Sequence, residues 1–311
     1  MTAPPLGPPA GLPSVTVRAP AKVNLVLIVG PARDDGFHPL DTVYQAISLY
    51  DDVRVTEADA WSVSVTPIGG VDCSGVPLDE SNLALRAGRL LTAHHGTSGA
   101  AHVEIHKGIP VAGGLAGGSA DAAATLVALD RLWDLGTTDD DLLALAADLG
   151  SDVPFALVGG SAHGGGRGEL VEPVADDGSY WWVVVPSELG LSTPAVYAEF
   201  DRLGATSRSH GSAAMVAALE SGDAAAVAAS LRNDLQAPAF SLRPELARRV
   251  QLVAEHTGGA VLLSGSGPTL VAASADQDTA REARAALLEA GLDVVHVATG
   301  PVAGAHVVEY V

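Results

Sequence analysis

The chain has 311 residues, room for two domains; 48% are hydrophobic but only 4% aromatic, so its cores must be built from Ala, Val and Leu. Its 37 acidic and 17 basic residues leave a net charge of -20, which offers no footprint for a nucleic-acid backbone or an anionic membrane. Cys73 is the only cysteine, which rules out an internal disulfide and a cysteine-based zinc site.

In chain order, residues 1–13 are rich in proline and lack the basic and apolar regions of a signal peptide, so they read as a disordered tail. No apolar run approaches the roughly 18 residues that span a bilayer, and a cytoplasmic protein is expected. Residues 14–30 alternate and are rich in Val, a strand pattern interrupted by Pro20. A polar turn and mixed segment lead to another strand ending near 58, and 61–68 alternate again. Residues 78–96 predict a helix capped by Asp79 or Ser81, and 101–110 a strand. A helix is expected from Ser119 to Trp133, then a shorter one that stops at Gly150. Short strands and glycine turns follow, and the polar stretch 172–179 is the expected domain boundary, separating 14–171 from 180–311. Beyond it come a strand at 180–186, helices near 193–203, 211–219, 222–231 and 243–256, a hairpin over 258–275, a last helix and a last strand. Helices and strands are mixed without strict alternation, which argues an α+β fold.

The stretch "PVAGGLAGGSADAAATL" (110–126) places Gly113, Gly114, Gly117 and Gly118 between a strand and an Ala-rich helix. It lacks the lysine of a P-loop and fits no dinucleotide fingerprint. Free backbone N–H groups and a helix dipole nevertheless suit a polyphosphate. A tight strand-to-helix connection with close packing explains the same glycines, and the loop alone leaves both open. Only two lysines, Lys22 and Lys107, stand among 15 arginines. A compact ammonium is not interchangeable with a guanidinium at a site, so both lysines attract notice.

The same stretch resembles the central motif of the GHMP kinases. "APAKVNLVLIVGPARDDGFHPLDTVYQAISLYDDV" (19–53) resembles the amino-terminal signature of one family among them, the 4-diphosphocytidyl-2-C-methyl-D-erythritol kinases. "LGSDVPFALVGGSAHGGGRGE" (149–169) resembles the segment with that family's catalytic aspartate, and "LSGSGPT" (263–269) its third, glycine-rich motif. The resemblance implies a two-domain α+β fold with the active site between domains. It also implies an ATP-dependent transfer of phosphate to the 2-hydroxyl of 4-diphosphocytidyl-2-C-methyl-D-erythritol, a step of the non-mevalonate route to isoprenoid precursors. A homoserine- or mevalonate-type GHMP kinase and a non-catalytic nucleotide sensor are the competing readings.

Residue by residue, the resemblance implies that Asp152 is the base and Lys22 its cationic partner. ATP would lie along Pro110, Val111, Ala112, Gly113, Gly114, Leu115, Ala116, Gly117, Gly118, Ser119 and Ala120, with Asn82 and Lys107 near its adenine end. Mg²⁺ would sit between its phosphates, with Ser119 a candidate contact. Asn24, Phe37, His38, Thr193 and Tyr197 would receive the acceptor, its cytosine stacked on an aromatic ring. Two positions depart from the family: Phe37 stands where most relatives carry Tyr, and Ala120 where a second serine is common. No other partner is expected, and the chain would act as a monomer or weak homodimer. Among the remaining histidines, His102 and His106 share a strand face without a third ligand, and His94 and His95 end a helix.

Overall fold

The computed structural model describes residues 12–111, 113–187, 190–204 and 211–311. Ala112 and the tail through residue 11 thus lie outside the described residues. Strand β1 (Ser14–Val29) pairs along its whole length with β2 (Leu40–Ala58), a single 19-residue strand. Pro20 does not end β1. The missing N–H is absorbed where the register shifts between Pro20 and Ala21, and a second shift after Asn24 leaves Leu25 as the extra residue of a bulge. β4 (Ala100–Lys107) follows β2, and β3 (Ser62–Pro67) lies parallel to it at the edge.

Helix α1 (Leu83–His95) is capped by Asn82, whose Oδ1 accepts from the Ala84 N–H at 2.9 Å; Asp79 and Ser81 lie too far upstream to do this. Helix α2 (Gly117–Leu132) begins two residues before the expected Ser119, after Ala116 in the left-handed region at φ 59°. Its alanines are buried on all sides, against α1 and the first sheet, and small side chains permit that close approach. Then come α3 (Asp139–Leu149), ended by Gly150, and the short α4 (Val153–Val158), where only turns and strands are expected. β5 (Ser161–Gly165) pairs with β2, and β6 (Leu170–Val174) with β5.

The second sheet has the order β11-β7-β10-β9, formed by β7 (Tyr180–Val185), β9 (Val261–Leu263), β10 (Leu270–Ser274) and β11 (His296–Gly300). Alternation along β7 assigns its two faces. Trp182 and Val184 join the core of the first sheet, whereas Val183 and Val185 pack under α9 (Pro244–Thr257) and α10 (Gln277–Glu289). Between them run α5 (Thr193–Arg202), α6 (Ala213–Ser221), α7 (Ala224–Ser230), β8 (Arg232–Asn233) and α8 (Gln236–Leu242), of which β8 pairs in parallel with β1. The grouping of 180–311 as one unit does not match the strand pairing. β12 (His306–Tyr310), which the sequence reading lacks, returns to pair antiparallel with β1 in the first sheet.

Candidate active site

The first cause of the site is the alternation of β1. Lys22 and Asn24 project from one face, and Val23 and Leu25 from the other, into the core. Lys22 is 5% exposed, and its Nζ donates to Asn24 Oδ1 at 2.7 Å and lies 3.6 Å from Asp152 Oδ2. Asn24 in turn donates to Thr42 Oγ1, which donates to the Val26 carbonyl, so the amide that holds the lysine is itself fixed. Asp152 sits at the start of α4, where an aspartate ordinarily caps the helix. Its side chain makes no cap hydrogen bond and is left for the lysine. The Tyr44 ring lies 5.7 Å from Lys22 Nζ. Burial, then the charge of Asp152, hold the Tyr44 phenol well above its ordinary pKa, and the same two causes raise Tyr197, so both stay hydrogen-bond donors.

These groups line a cleft of roughly 680 Å³ between the two sheets, a size that suits small-molecule ligands. Pro110, Val111, Gly113, Gly114, Ala116, Gly117 and Gly118 form one wall, and Gly265, Ser266 and Gly267 of the 264–269 loop face them. The glycines answer to two different demands. A Cβ on Gly114 would stand 2.3 Å from the Ser264 carbonyl oxygen, and one on Gly113 2.5 Å from Thr269 Oγ1. Here the bare backbone lets two loops touch, joined by Ser264 Oγ donating to the Gly114 carbonyl. A Cβ on Gly117 would press on Lys107 Nζ at 2.9 Å, whereas at Gly118 the nearest neighbour is Leu83 Cδ1 at 3.6 Å. Of these four, only Gly118 would accept a Cβ with no more than an ordinary contact.

Lys107 lines the cleft but is 2% exposed and bound between two carboxylates, Asp51 at 2.5 Å and Asp121 at 2.7 Å. Asp51 also accepts from the Gly108 and Ile109 N–H groups, which turns the chain from β4 into the glycine loop. Burial, then Asp121, push the Asp51 carboxyl up against the pull of the ammonium. Burial also works against the Lys107 ammonium, and the two carboxylates more than offset it. Asn82 is buried as the cap of α1, Leu115 and Ala120 sit in the core, and Ser119 is partly buried in the first turn of α2. The Leu115 carbonyl accepts from the Lys22 N–H at 3.1 Å, so the glycine loop and β1 are tied directly.

At the other end of the cleft, His38 is buried, with its Nε2 2.9 Å from Asp201 and its ring 5.1 Å from that of Tyr197. Phe37 is 50% exposed, with the Arg167 guanidinium 5.0 Å over its ring. Thr193 bonds Ser266 at 2.7 Å and fastens the start of α5 to the 264–269 loop. Sequence reasoning missed Tyr44, Asp51, Arg167 and Asn233. The last donates to the Leu263 and Gly265 carbonyls, both at 2.7 Å, and so fixes the second loop. A buried amide in a two-residue strand leaves no periodic signal.

The chain matches the model of the GHMP kinases N terminal domain over residues 82–160 and that of the GHMP kinases C terminal domain over 215–293. It is 57% identical over 296 residues, 94% of this chain and 100% of the relative, to the 4-diphosphocytidyl-2-C-methyl-D-erythritol kinase of Nocardioides sp.. Its fold is similar to a crystal structure of 4-(cytidine 5'-diphospho)-2C-methyl-D-erythritol kinase, with a TM-score of 0.75, 34% identity, and coverage of 91% of this chain and 98% of that one. Homoserine kinase from Cytophaga hutchinsonii is alike in fold at 21% identity, with a TM-score of 0.67 and coverage of 98% and 100%. With a lysine–aspartate pair in a cleft walled by two glycine loops, and with relatives this close over nearly its whole length, the chain belongs to the 4-diphosphocytidyl-2-C-methyl-D-erythritol kinases, a family of ATP-dependent GHMP kinases.

Proposed function

We propose that the chain transfers the γ-phosphate of ATP to the 2-hydroxyl of 4-diphosphocytidyl-2-C-methyl-D-erythritol, in the non-mevalonate route to isoprenoid precursors. The observation that supports this reading best is the Lys22–Asp152 pair, 3.6 Å apart in the cleft and brought together across 130 positions of sequence. The acceptor hydroxyl oxygen attacks the γ-phosphorus, the bond from that phosphorus to the β,γ-bridging oxygen breaks, and ADP leaves. The hydroxyl proton passes to the Asp152 carboxylate. Lys22 orients that carboxylate and offsets the charge that develops on the transferred group. Backbone N–H groups at the start of α2 receive the phosphates, with Gly118 the point of closest approach.

Among the described residues, no group of three or more His, Cys, Asp or Glu is placed to hold a metal. The cleft carboxylates are Asp121, bound to Lys107, and Asp152, paired with Lys22. That donor set fits a Mg²⁺ that takes most ligands from phosphate oxygens and water, with the Ser119 hydroxyl as the protein-side contact. When bound, the ion would neutralise charge on the phosphates. Phe37 offers its exposed ring to cytosine, and Tyr197 and His38 bound the pocket beside it. The base-edge hydrogen bond would fall to His38 Nδ1, because Nε2 is occupied by Asp201. No described helix is long and apolar enough to cross a membrane, and the reading places the enzyme in the cytoplasm.

The test is ADP release with Mg-ATP and the cytidyl acceptor, beside mevalonate and homoserine, for wild type and Asp152→Asn. Turnover is expected with the cytidyl acceptor alone, falling about 10²- to 10⁴-fold in the variant while ATP still binds. Turnover with another alcohol would overturn the acceptor, and an active variant would overturn the base.

A further inference from the structure

The ammonium of Lys22 can serve Asp152 only if it is held in one place, and the groups that hold it reach back behind the cleft wall. Asn24 Oδ1 accepts from Lys22 Nζ at 2.7 Å, Asn24 Nδ2 donates to Thr42 Oγ1 at 2.9 Å, and Thr42 donates to the Val26 carbonyl at 2.6 Å. Thr42 has no exposed surface, so a substrate in the cleft cannot reach it. An amide side chain has one end that accepts and one that donates, nearly equal in shape, and turned over it would meet Lys22 with its NH₂ group. The two ends of this series of hydrogen bonds allow a single direction. A carbonyl only accepts, so the Thr42 hydroxyl gives its proton to Val26 and meets Asn24 with a lone pair. Asn24 must then offer its NH₂ group to Thr42, which leaves its oxygen for an ammonium that only donates.

The fold brings the threonine there by two local devices. A regular strand would put Asn24 and Val26 on one face. The bulge at Leu25 instead turns Leu27 toward the cleft with Asn24, and Thr42 is the residue of β2 paired with Leu27. On its other side Thr42 pairs with Gly164 of β5, where a Cβ would stand 2.8 Å from the Thr42 methyl carbon. The bare glycine gives that methyl its place, and with the methyl fixed the hydroxyl faces β1. We propose that Thr42 is a positioning residue for the phosphate transfer: its hydroxyl decides which end of Asn24 faces Lys22 and so holds the ammonium beside Asp152. The inference rests on the reading of Lys22 and Asp152 as the reacting pair, and its test tells the two apart.

Steady-state kinetics of the full chain with Mg-ATP and the cytidyl acceptor compare wild type with Thr42→Val, Thr42→Cys and Thr42→Ser, each first shown to be folded at the assay temperature. Valine keeps the shape without the hydroxyl, and cysteine, a weak donor and weak acceptor, takes its place should valine not fold. In both, kcat should fall about 10- to 100-fold while KM for ATP and for the acceptor stays within about twofold, because a displaced reacting group slows the step without loosening the bound substrates. Serine, which keeps the hydroxyl, should bring kcat back to within about threefold of wild type. The orientation itself is read in a second background. A carboxylate accepts at both ends, so in Asn24→Asp there is no wrong way round, and adding Thr42→Val should cost less than about twofold. The proposal is overturned if valine and cysteine keep the wild-type kcat, if KM rises in step with the loss, if serine fails to restore kcat, or if the loss is as large in Asn24→Asp. Asp152→Asn with wild-type turnover would sink the base instead, and a kcat loss in Thr42→Val beside it would still set Thr42 behind Lys22.

Discussion

Lys107 shows how a residue can look free in sequence and be fully committed in the fold. Its ammonium holds Asp51 and Asp121 together, and Asp121 Oδ1 has no hydrogen-bond partner, so little in this cluster is spare. Removing the cation would leave two buried carboxylates facing each other, a change that costs on the order of 3–5 kcal/mol. Lys107→Met should therefore lower the free energy of unfolding by about that amount, read from denaturant midpoints. An unchanged midpoint would mean that the lysine serves the ligand and not the fold. Lys22 differs in kind. It faces Asp152 across 3.6 Å, a gap wide enough for the pair to rearrange around a reacting hydroxyl.

At the scale of elements, the two glycine loops act as one part. Gly114 meets the 264–269 loop and has φ 78°, whereas Gly118, exposed in the first turn of α2, has room for a methyl group beside Leu83. The two should answer differently to alanine. Gly114→Ala forces a Cβ against a carbonyl and should destabilise the fold by about 2 kcal/mol or more. Gly118→Ala should leave stability equal or up to about 1 kcal/mol higher, because alanine favours the helix. It should instead raise KM for ATP, where phosphate needs that space. Thermal unfolding and ATP kinetics on both variants separate the roles. Much of this was legible in sequence: the glycine loop and the hairpin over 258–275 lie where periodicity and turn chemistry put them, and Lys22 and Asp152, which the family resemblance pairs, stand 3.6 Å apart. What escaped notice had little local signal. The seven residues of α8 contain Pro238, β12 is five residues long, and Arg167 sits between glycines that read only as a turn. The cap of α1 was misplaced because Asp79, Ser81 and Asn82 are all good caps, and only the backbone selects Asn82.

For the whole molecule, two histidines tie stability to pH. His102 lies in the first sheet, with its ring nitrogens bonded to Ser62 and Ser64, and His296 in the second with a buried Nε2 that has no partner. Burial lowers the pKa of both. The unfolded chain therefore binds more protons than the folded one once pH falls below the ordinary histidine value near 6.5, and stability must drop with it. The loss of urea resistance from pH 7.5 to 5.5 should be larger in wild type than in His102→Gln/His296→Gln. Equal losses would assign the acid sensitivity to other groups.

The return of β12 to β1 has a consequence for how the molecule comes into being. β1 starts at residue 14 and takes a partner on its second edge from residues 306–310, so two neighbouring strands of the first sheet lie far apart in the chain. During synthesis, β1 can pair with β2 as soon as both have emerged, but the edge at residues 15–18 must wait for residues 306–310. Synthesis that stopped short of residue 306 would leave a chain with Lys22 and Asp152 present and an open strand edge on β1. Such an edge invites a neighbouring chain to supply the missing strand, so residues 306–310 decide whether the sheet closes on itself or on another copy.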